Sequence, residues 1–392
     1  MRAVDSWAIE QRGVPSLELM ERAGEGVARA VEELIPDGPV AVLCGKGNNG
    51  GDGLVLARLL RRAGRAVRVV FVCEPEELSR DARANFERLG EQRAVLVGEP
   101  EAREAVERSA VVIDALLGTG FAGVPHGAVA EAIEIANASG VPIVSVDVPS
   151  GVDASTGEVG ERAIEARLTV TFHAAKPGLW INPGKHHAGD TRVIDIGIPR
   201  GAPSAAEVGL VGPSIRETLP SRGSRSTKFS SGHAVVVGGS HGLMGAPAMS
   251  ALACMRAGAG YVTACVPDSQ SQILDVQLME VMTHGLPDER GTLTPAAISP
   301  AMAALERAGA LALGPGVGRE SHTASFVREL ARNSRVAMVL DADGLNAHAG
   351  RLQELAAREA PTVLTPHAGE LGRLLELDSK QIESQRLKHV RA

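Results

Sequence analysis

Five residues in the first half of the chain have side chains that can move protons or hold a hard cation: Asn49, Asp114, Asp147, Ser150 and Lys176. Each follows a short apolar run, where a strand would hand over to a loop. Asn49 lies in Gly45-Lys46-Gly47-Asn48-Asn49-Gly50-Gly51-Asp52-Gly53. Glycines let a backbone turn sharply and approach a ligand closely. Exposed amides at a helix start favour an anion such as a phosphate. Two adjacent amide side chains and a carboxylate in one loop exceed what a turn needs. Asp114 ends the run 111–114 and precedes Leu116-Leu117-Gly118-Thr119-Gly120. Asp147 and Ser150 share Val146-Asp147-Val148-Pro149-Ser150-Gly151, and Lys176 lies in Phe172-His173-Ala174-Ala175-Lys176-Pro177-Gly178. Asn49, Asp114 and Ser150 offer oxygen alone, which suits a hard cation rather than zinc or copper. Asp147 and Lys176 can act as an acid/base pair if the site shifts their proton affinities. Singly, a turn, a helix cap or a surface lysine would explain each one. Together, at successive strand ends, they point to a site. The neighbouring His186-His187 pair and His173 lack a further ligand at metal spacing, and the pair reads as a solvated loop.

These strand ends belong to an α/β alternation. Short β-branched runs occur at 40–43, 66–72, 94–97, 111–113 and 143–146, with further strands expected at 168–172 and 191–196. Helical patterns over 54–63, 78–89, 101–107 and 128–138 separate them, after an opening helix over 6–33 interrupted near Gly13-Val14-Pro15. Continuous apolar strands between helices imply a parallel sheet covered on both faces. Ligands of such sheets sit outside the carboxyl ends of the strands. Residues 1–205 therefore read as a Rossmann-like three-layer α/β domain with a mainly parallel sheet. Pro, Ser, Gly and Arg dominate the next stretch, and 206–232 reads as a linker. A second α/β pattern fills 233–392, with strands at 234–240, 261–266, 310–313, 336–340 and 362–364, a small-residue helix over 245–260 and a polar helix over 380–390. Only Ile382, Leu387 and Val390 give that last helix an apolar stripe. The halves share no repeat, so two different nucleotide-type domains are expected.

Composition narrows the function. The chain has 392 residues, 44% hydrophobic and 22% charged, with net charge −7. That length suggests two or three domains. Mild acidity, no long basic stripe and 2% aromatic residues argue against nucleic-acid binding. No apolar run is long enough to span a membrane, and the first residues lack a signal peptide's apolar core. The cysteines, Cys44, Cys73, Cys254 and Cys265, form no metal-ligand spacing. Three are expected in strands and Cys254 in a helix, as reduced thiols of a cytoplasmic protein.

The four ordered motifs around Asn49, Asp114, Asp147 and Lys176, with Leu19-Met20-Glu21-Arg22-Ala23-Gly24, resemble the NAD(P)H-hydrate epimerase family over about residues 1–200. The resemblance implies a small-molecule substrate, NADH or NADPH hydrated on the nicotinamide ring, whose R and S forms are interconverted. It implies substrate contacts from Asn48, Asn49, Gly50, Gly51 and Asp52, from Gly118, Thr119, Gly120, Phe121, Ala122, Gly123 and Val124, and from Asp147. It also implies potassium bound by Asn49, Asp114 and Ser150, and catalysis by Asp147 and Lys176. In the second half, Gly314-Pro315-Gly316-Val317-Gly318, Asp341-Ala342-Asp343-Gly344 and Thr365-Pro366-His367-Ala368-Gly369-Glu370 resemble the ADP- or ATP-dependent NAD(P)H-hydrate dehydratases, whose fold is ribokinase-like. That likeness implies Ala246, Gly316 and His367 at the hydrated cofactor, and ADP or ATP with Mg2+. The family's Lys-Gly element and Gly-x-Gly-Asp motif are not found after Glu370. The expectation is therefore a partial ribokinase-like domain whose nucleotide site is incomplete and whose dehydratase activity is lost. Two other functions compete: a ribokinase-like small-molecule kinase, and a non-catalytic dinucleotide-binding protein. Neither nucleic acid nor membrane is expected as a partner, and self-association into a homo-oligomer stays open.

Overall fold

A computed structural model describes residues 2–90, 94–202, 208–219 and 221–392. Residues 206, 207 and 220 of the expected linker lie outside this set. The chain divides into two compact units, Met1–Gly212 with Glu383–Ala392, and Pro213–Ile382.

The first unit is built on seven strands, β1 (Val40–Cys44), β2 (Val67–Phe71), β3 (Val95–Leu96), β4 (Val111–Ala115), β5 (Ile143–Val146), β6 (Leu168–Phe172) and β7 (Asp190–Ile194), in the order β3-β2-β1-β4-β5-β6-β7. Every pairing is parallel, so the sheet is wholly rather than mainly parallel. Its order reverses between β1 and β4, and a ligand crevice is expected at that point. Alternation along β1 explains the two-sided cover. Val40, Val42 and Cys44 enter one apolar cluster, whereas Ala41 and Leu43 enter the other. The first cluster is closed by α1 (Arg2–Ser6), α2 (Ser16–Leu34), α3 (Asn48–Arg62) and α4 (Arg80–Leu89). The second is closed by α5 (Pro100–Glu107) and α6 (Gly127–Ala138). Along α2, Leu19, Met20, Ala23, Gly24, Val27, Ala28 and Val31 are buried at helical spacing.

One correction bears directly on the site. The segment expected to be a loop up to Gly53 is helical from Asn48, so only Gly45–Gly47 form the turn. The glycines serve close packing. A Cβ on Gly45 would lie 1.9 Å from the Leu116 carbonyl oxygen, and one on Gly50 1.9 Å from that of Gly45. Two further expectations shift. The opening helix breaks into α1, a π-helical turn at Trp7–Gln11, and α2. Cys73 lies just past β2 rather than within it, while α7 (Gly184–Ala188) carries the two histidines.

The second unit holds β8 (His233–Val237), β9 (Tyr261–Pro267), β10 (Met282–Leu286), a hairpin of β11 (Asp288–Glu289) and β12 (Thr292–Leu293), β13 (Ala310–Leu313), β14 (Ala337–Leu340) and β15 (Thr362–Leu364). Its main sheet runs β10-β9-β8-β13-β14-β15, again parallel. Helices α8 (Gly245–Ala257) and α9 (Ser271–Gln277) lie against one apolar cluster, and α10 (Ile298–Leu305), α11 (Ser321–Asn333), α12 (Asp343–Asn346), α13 (Leu352–Ala356) and α14 (Ala368–Leu375) belong with the other. β15 is an edge strand with Val363 and Leu364 exposed. The expected helix over 380–390 is two, α15 (Ser379–Ser384), with Ile382 buried, and α16 (Arg386–Arg391), which belongs to the first unit and leaves Val390 exposed. Gln385 between them leaves the helical region at φ −133°, ψ 46°.

Candidate active site

The switch point between β1 and β4 opens on a cavity of about 850 Å3. Asn48, Asn49 and Asp52 line it from α3, Gly118, Thr119, Gly120 and Phe121 from the turn after β4, and Asp147 and Lys176 from the ends of β5 and β6. Gly50 and Gly51 are buried in α3 and do not line it; Ala122, Gly123 and Val124 lie outside the lining too. No side chain caps the start of α3, where Gly47 is the N-cap residue. A helix start of this kind leaves its first amides without intrahelical partners, which favours an anion there.

Asp147 and Lys176 meet. Lys176 Nζ lies 2.8 Å from Asp147 Oδ1, with side-chain exposures of 4% and 11%. The ammonium also donates to Thr171 Oγ1 and to the Phe172 carbonyl, each at 2.7 Å. Thr171 in turn donates to Asp147 Oδ1 at 3.1 Å. The three ammonium donors are thus engaged, and these bonds to the carboxylate fall on Oδ1. Local backbone aims the pair. Asp147 has φ 68° and is spanned by a bond from Val148 N–H to the Val146 carbonyl. His173 has φ 64° and is spanned by a bond from Ala174 N–H to the Phe172 carbonyl. Both are three-residue γ-turns of the positive-φ, strained kind. Thr171 and Ser145 escaped the sequence reading, their only signal being hydroxyls inside fully buried strands.

Asp114 is fully buried beneath the turn after β4. Its Oδ2 accepts from Ser145 Oγ at 2.8 Å and Ser150 N–H at 2.9 Å. Its Oδ1 accepts from Ser150 Oγ at 2.5 Å and Leu116 N–H at 3.3 Å. Burial pushes this carboxyl above its usual range, and bonds from Ser150, Ser145 and Leu116 pull it back. Ser150 Oγ also accepts from Leu117 N–H at 2.9 Å, and Asn49 Nδ2 donates to the Leu117 carbonyl at 2.8 Å. Ser150 and Asn49 therefore meet at Leu117, and Asp114 is joined to them through Ser150. An all-oxygen set with a single carboxylate fits a potassium-type ion.

Asp52 reaches the cavity yet is ringed by protein. Burial, with repulsion from Asp147 and Asp5 against attraction from Lys176, pushes its carboxyl well above the ordinary range. The His186-His187 rings lie edge to face at 6.0 Å, and burial lowers His187. Among the described residues, no group of three His, Cys, Asp or Glu could hold a metal.

In the second unit, Ala246 in the first turn of α8 and Gly316 after β13 are adjacent. A Cβ on Gly316, at φ 65°, would meet Ala246 Cβ at 3.2 Å. Ser240 Oγ donates to the Gly316 carbonyl at 2.9 Å. His367 lies beyond the end of β15 and caps α14: its Nδ1 accepts from Gly369 N–H at 3.0 Å, while Glu370 accepts from its backbone. Its ring stays exposed.

Comparisons with known proteins follow the same division. A model described as YjeF-related protein N-terminus matches residues 16–178, and one described as NAD(P)H-hydrate dehydratase matches residues 234–392. The bifunctional NAD(P)H-hydrate repair enzyme Nnr of Salinibacter ruber is 41% identical over 399 residues, covering 95% of this chain and 74% of the relative. The enzyme of the same name from Moorella thermoacetica is 38% identical over 401 residues, covering 99% and 76%. The chain thus spans about three quarters of the length of these relatives. Among solved structures, the ADP/ATP-dependent NAD(P)H-hydrate dehydratase from Bacillus subtilis, co-crystallised with ATP/Mg2+, is 25% identical with a TM-score of 0.37, covering 45% of this chain and 58% of that one. The expected loss of dehydratase activity and the expected incomplete nucleotide site find no support: the dehydratase model and the bifunctional relatives match the second half as well as the first. No helix among the described residues is long and apolar enough to cross a membrane. The chain belongs to the family of bifunctional NAD(P)H-hydrate repair enzymes, with an epimerase domain followed by a dehydratase domain.

Proposed function

We propose that residues 1–205 interconvert the R and S forms of hydrated NADH or NADPH in the cavity at the β1/β4 switch point. The observation that carries this is the buried Asp147–Lys176 pair on the wall of a cavity that the start of α3 also lines. The epimerised carbon bears a hydroxyl and is bonded to the ring nitrogen. Asp147 takes the hydroxyl proton through Oδ2, the oxygen not engaged by Lys176. The oxygen lone pair forms a carbonyl, the carbon–nitrogen bond breaks, and the nitrogen receives a proton from Asp52. Rotation and closure on the other face return both protons to their donors' starting positions, so nothing is consumed. Lys176, its donors held by Thr171, Phe172 and Asp147, supplies a fixed counter-charge beside the Asp147 carboxylate. Amides at the start of α3 receive the substrate's phosphates.

Asn49, Asp114 and Ser150 would hold potassium, with the Leu117 carbonyl beside them. A bound ion would supply a fixed positive charge to this part of the site. Residues 233–392 form the dehydratase domain, which takes the S hydrate to NAD(P)H with ADP or ATP and Mg2+, and Ala246, Gly316 and His367 face the hydrated ring. Four free thiols suit a reducing compartment, and we read the protein as cytoplasmic.

The test supplies R hydrate with an independent S-specific dehydratase and follows NAD(P)H recovery. Added protein should speed consumption of the R form. An unchanged rate would refute the epimerase assignment.

A further inference from the structure

The Asp147–Lys176 pair and the start of α3 occupy one end and the middle of the cavity at the β1/β4 switch point. The sheet order gives the direction of the rest. Lys176 follows β6, Asp147 follows β5, α3 follows β1, and the neighbour beyond β1 is β2. Strands lie about 4.8 Å apart, so β6 and β2 are separated by roughly 19 Å, a span that suits an extended dinucleotide. With the hydrated ring at the pair and the phosphates at α3, the adenosine half extends toward β2. There Val72, Cys73 and Glu77 line the cavity. Glu77 ends a 3-10 turn, Pro75–Glu77, and is exposed. The segment around it is fixed. Leu78 is buried in the core, Ser79 N–H donates to the Lys46 carbonyl at 2.8 Å, and Ser79 Oγ donates to Asn48 Oδ1 at 3.3 Å. Arg83 donates to the Pro75 carbonyl at 3.1 Å and to that of Glu76. The Glu77 carboxylate accepts from Glu74 N–H at 3.3 Å through Oε2, which leaves Oε1 for a ligand.

Resting on the epimerase reading above, we propose that Glu77 is the residue by which this site tells hydrated NADH from hydrated NADPH. The two substrates differ at one place, the 2′ position of the adenosine ribose, which bears a hydroxyl in the first and a phosphate in the second. In dinucleotide-binding α/β sheets an acidic residue beyond the second strand takes the 2′-hydroxyl, and a nearby arginine accommodates the 2′-phosphate. This chain has a carboxylate in that place. Oε1 of Glu77 accepts from the hydroxyl. A phosphate would instead bring negative charge against Glu77, with Asp81 also on the cavity wall. The nearby arginines are committed elsewhere: Arg80 Nε lies 3.1 Å from Asp81 Oδ1 and does not line the cavity, and Arg83 holds the two carbonyls. Besides Lys176, the basic side chains lining the cavity are Lys46 and His126. They come from the segments after β1 and β4, and so stand beside the pyrophosphate rather than the ribose. The site therefore prefers the hydrate of NADH.

The experiment measures kcat/KM of the full chain for the R hydrates of NADH and of NADPH, for wild type, Glu77→Gln and Glu77→Arg. An independent S-specific dehydratase is kept in excess, so that epimerisation limits the rate. The wild type should favour the NADH hydrate about tenfold. Glu77→Gln removes the charge and keeps an acceptor for Glu74 N–H; it should narrow the ratio to about twofold, with the change carried by KM. Glu77→Arg should reverse the preference. Salt gives a reading that needs no variant. The repulsion acts between groups open to water, so raising the ionic strength should narrow the wild-type ratio. Equal kcat/KM for the two hydrates in the wild type, or a preference that Glu77→Gln leaves unchanged, overturns the proposal. A wild type that epimerises neither hydrate refutes the epimerase reading. Epimerisation of both hydrates, in one ratio across all three proteins, refutes the role of Glu77 alone.

Discussion

The Asp147–Lys176 pair gives the sharpest quantitative expectation. At 2.8 Å, with an effective dielectric constant near 20, two unit charges attract by about 6 kcal/mol. Taking both out of water offsets part of that gain, so the pair as a whole contributes little net stability. Breaking it is different. In Asp147→Asn, Lys176 keeps Thr171 Oγ1 and the Phe172 carbonyl but loses its counter-charge. A buried charge stranded in this way costs about 3–5 kcal/mol. For a domain of this size each kcal/mol lowers the melting temperature by roughly 2–4 °C, so a fall of about 10 °C is expected. Lys176→Met should cost a similar amount by stranding the carboxylate. The double variant strands neither charge and should be less destabilised than the sum of the singles, by several kcal/mol. Turnover should fall about 10² to 10⁴-fold in Asp147→Asn. The assays are urea unfolding of all four proteins and single-turnover epimerisation of those that fold. Stability losses that add to within about 0.5 kcal/mol would refute the buried-pair argument. Near wild-type turnover in Asp147→Asn would remove that residue from the mechanism.

Other expectations follow from neighbouring features. Potassium should raise the melting temperature of the wild type relative to a bulky organic cation, and Asp114→Ala should abolish the difference; equal temperatures for the wild type would dismiss the cation site. Burial raises the Asp114 carboxyl, so the native state holds that proton more tightly than the unfolded chain does. The resulting stability is full below the ordinary carboxylate value near about 4 and is lost as pH rises through the raised native value. In the organic-cation buffer, unfolding free energy should therefore fall with pH across that window, and Asp114→Asn should flatten the slope; an unaltered slope would count against the assignment. Asp52→Asn should reduce turnover by about 10²-fold or more, since the ring nitrogen then lacks its proton donor; intact turnover would return that role to Lys176. Gly45→Ala forces a methyl against the Leu116 carbonyl and should cost about 1–3 kcal/mol in urea unfolding; a wild-type midpoint would show that the β1 and β4 turns can separate freely.

The strand ends of the first unit were legible because each couples an apolar run to a polar residue of uncommon type. Asn49, Asp114, Asp147, Ser150 and Lys176 are brought together by a sheet order that follows from the α/β alternation. The start of α3 was not legible. Asn48-Asn49-Gly50-Gly51 has poor helix propensity, and packing of Gly50 against Gly45 and Gly51 against Met20 overrides it. β10 was missed because Met282-Thr283-His284-Gly285-Leu286 lacks β-branched repetition and lies at a sheet edge. Thr171 and Ser145 look like ordinary strand residues until the fold points their hydroxyls at charged partners.

The twin γ-turns at Asp147 and His173 also constrain which sequences this site can tolerate. A positive φ at a residue other than glycine is most readily accepted by Asp, Asn or His, and costs others about 1–3 kcal/mol. At position 147, backbone and chemistry therefore select from the same short roster. Glutamate, which keeps the charge, is disfavoured twice, by its longer reach and by the turn beneath it. Asparagine inherits the conformation and loses only the charge, whereas alanine loses both. Because Asp147 N–H is also tied to the Val170 carbonyl, one strand over, the turn cannot relax without disturbing β6 and the segment that bears Lys176. Mutational drift at one member of the pair is thus mechanically registered at the other, and the two positions should change together or not at all.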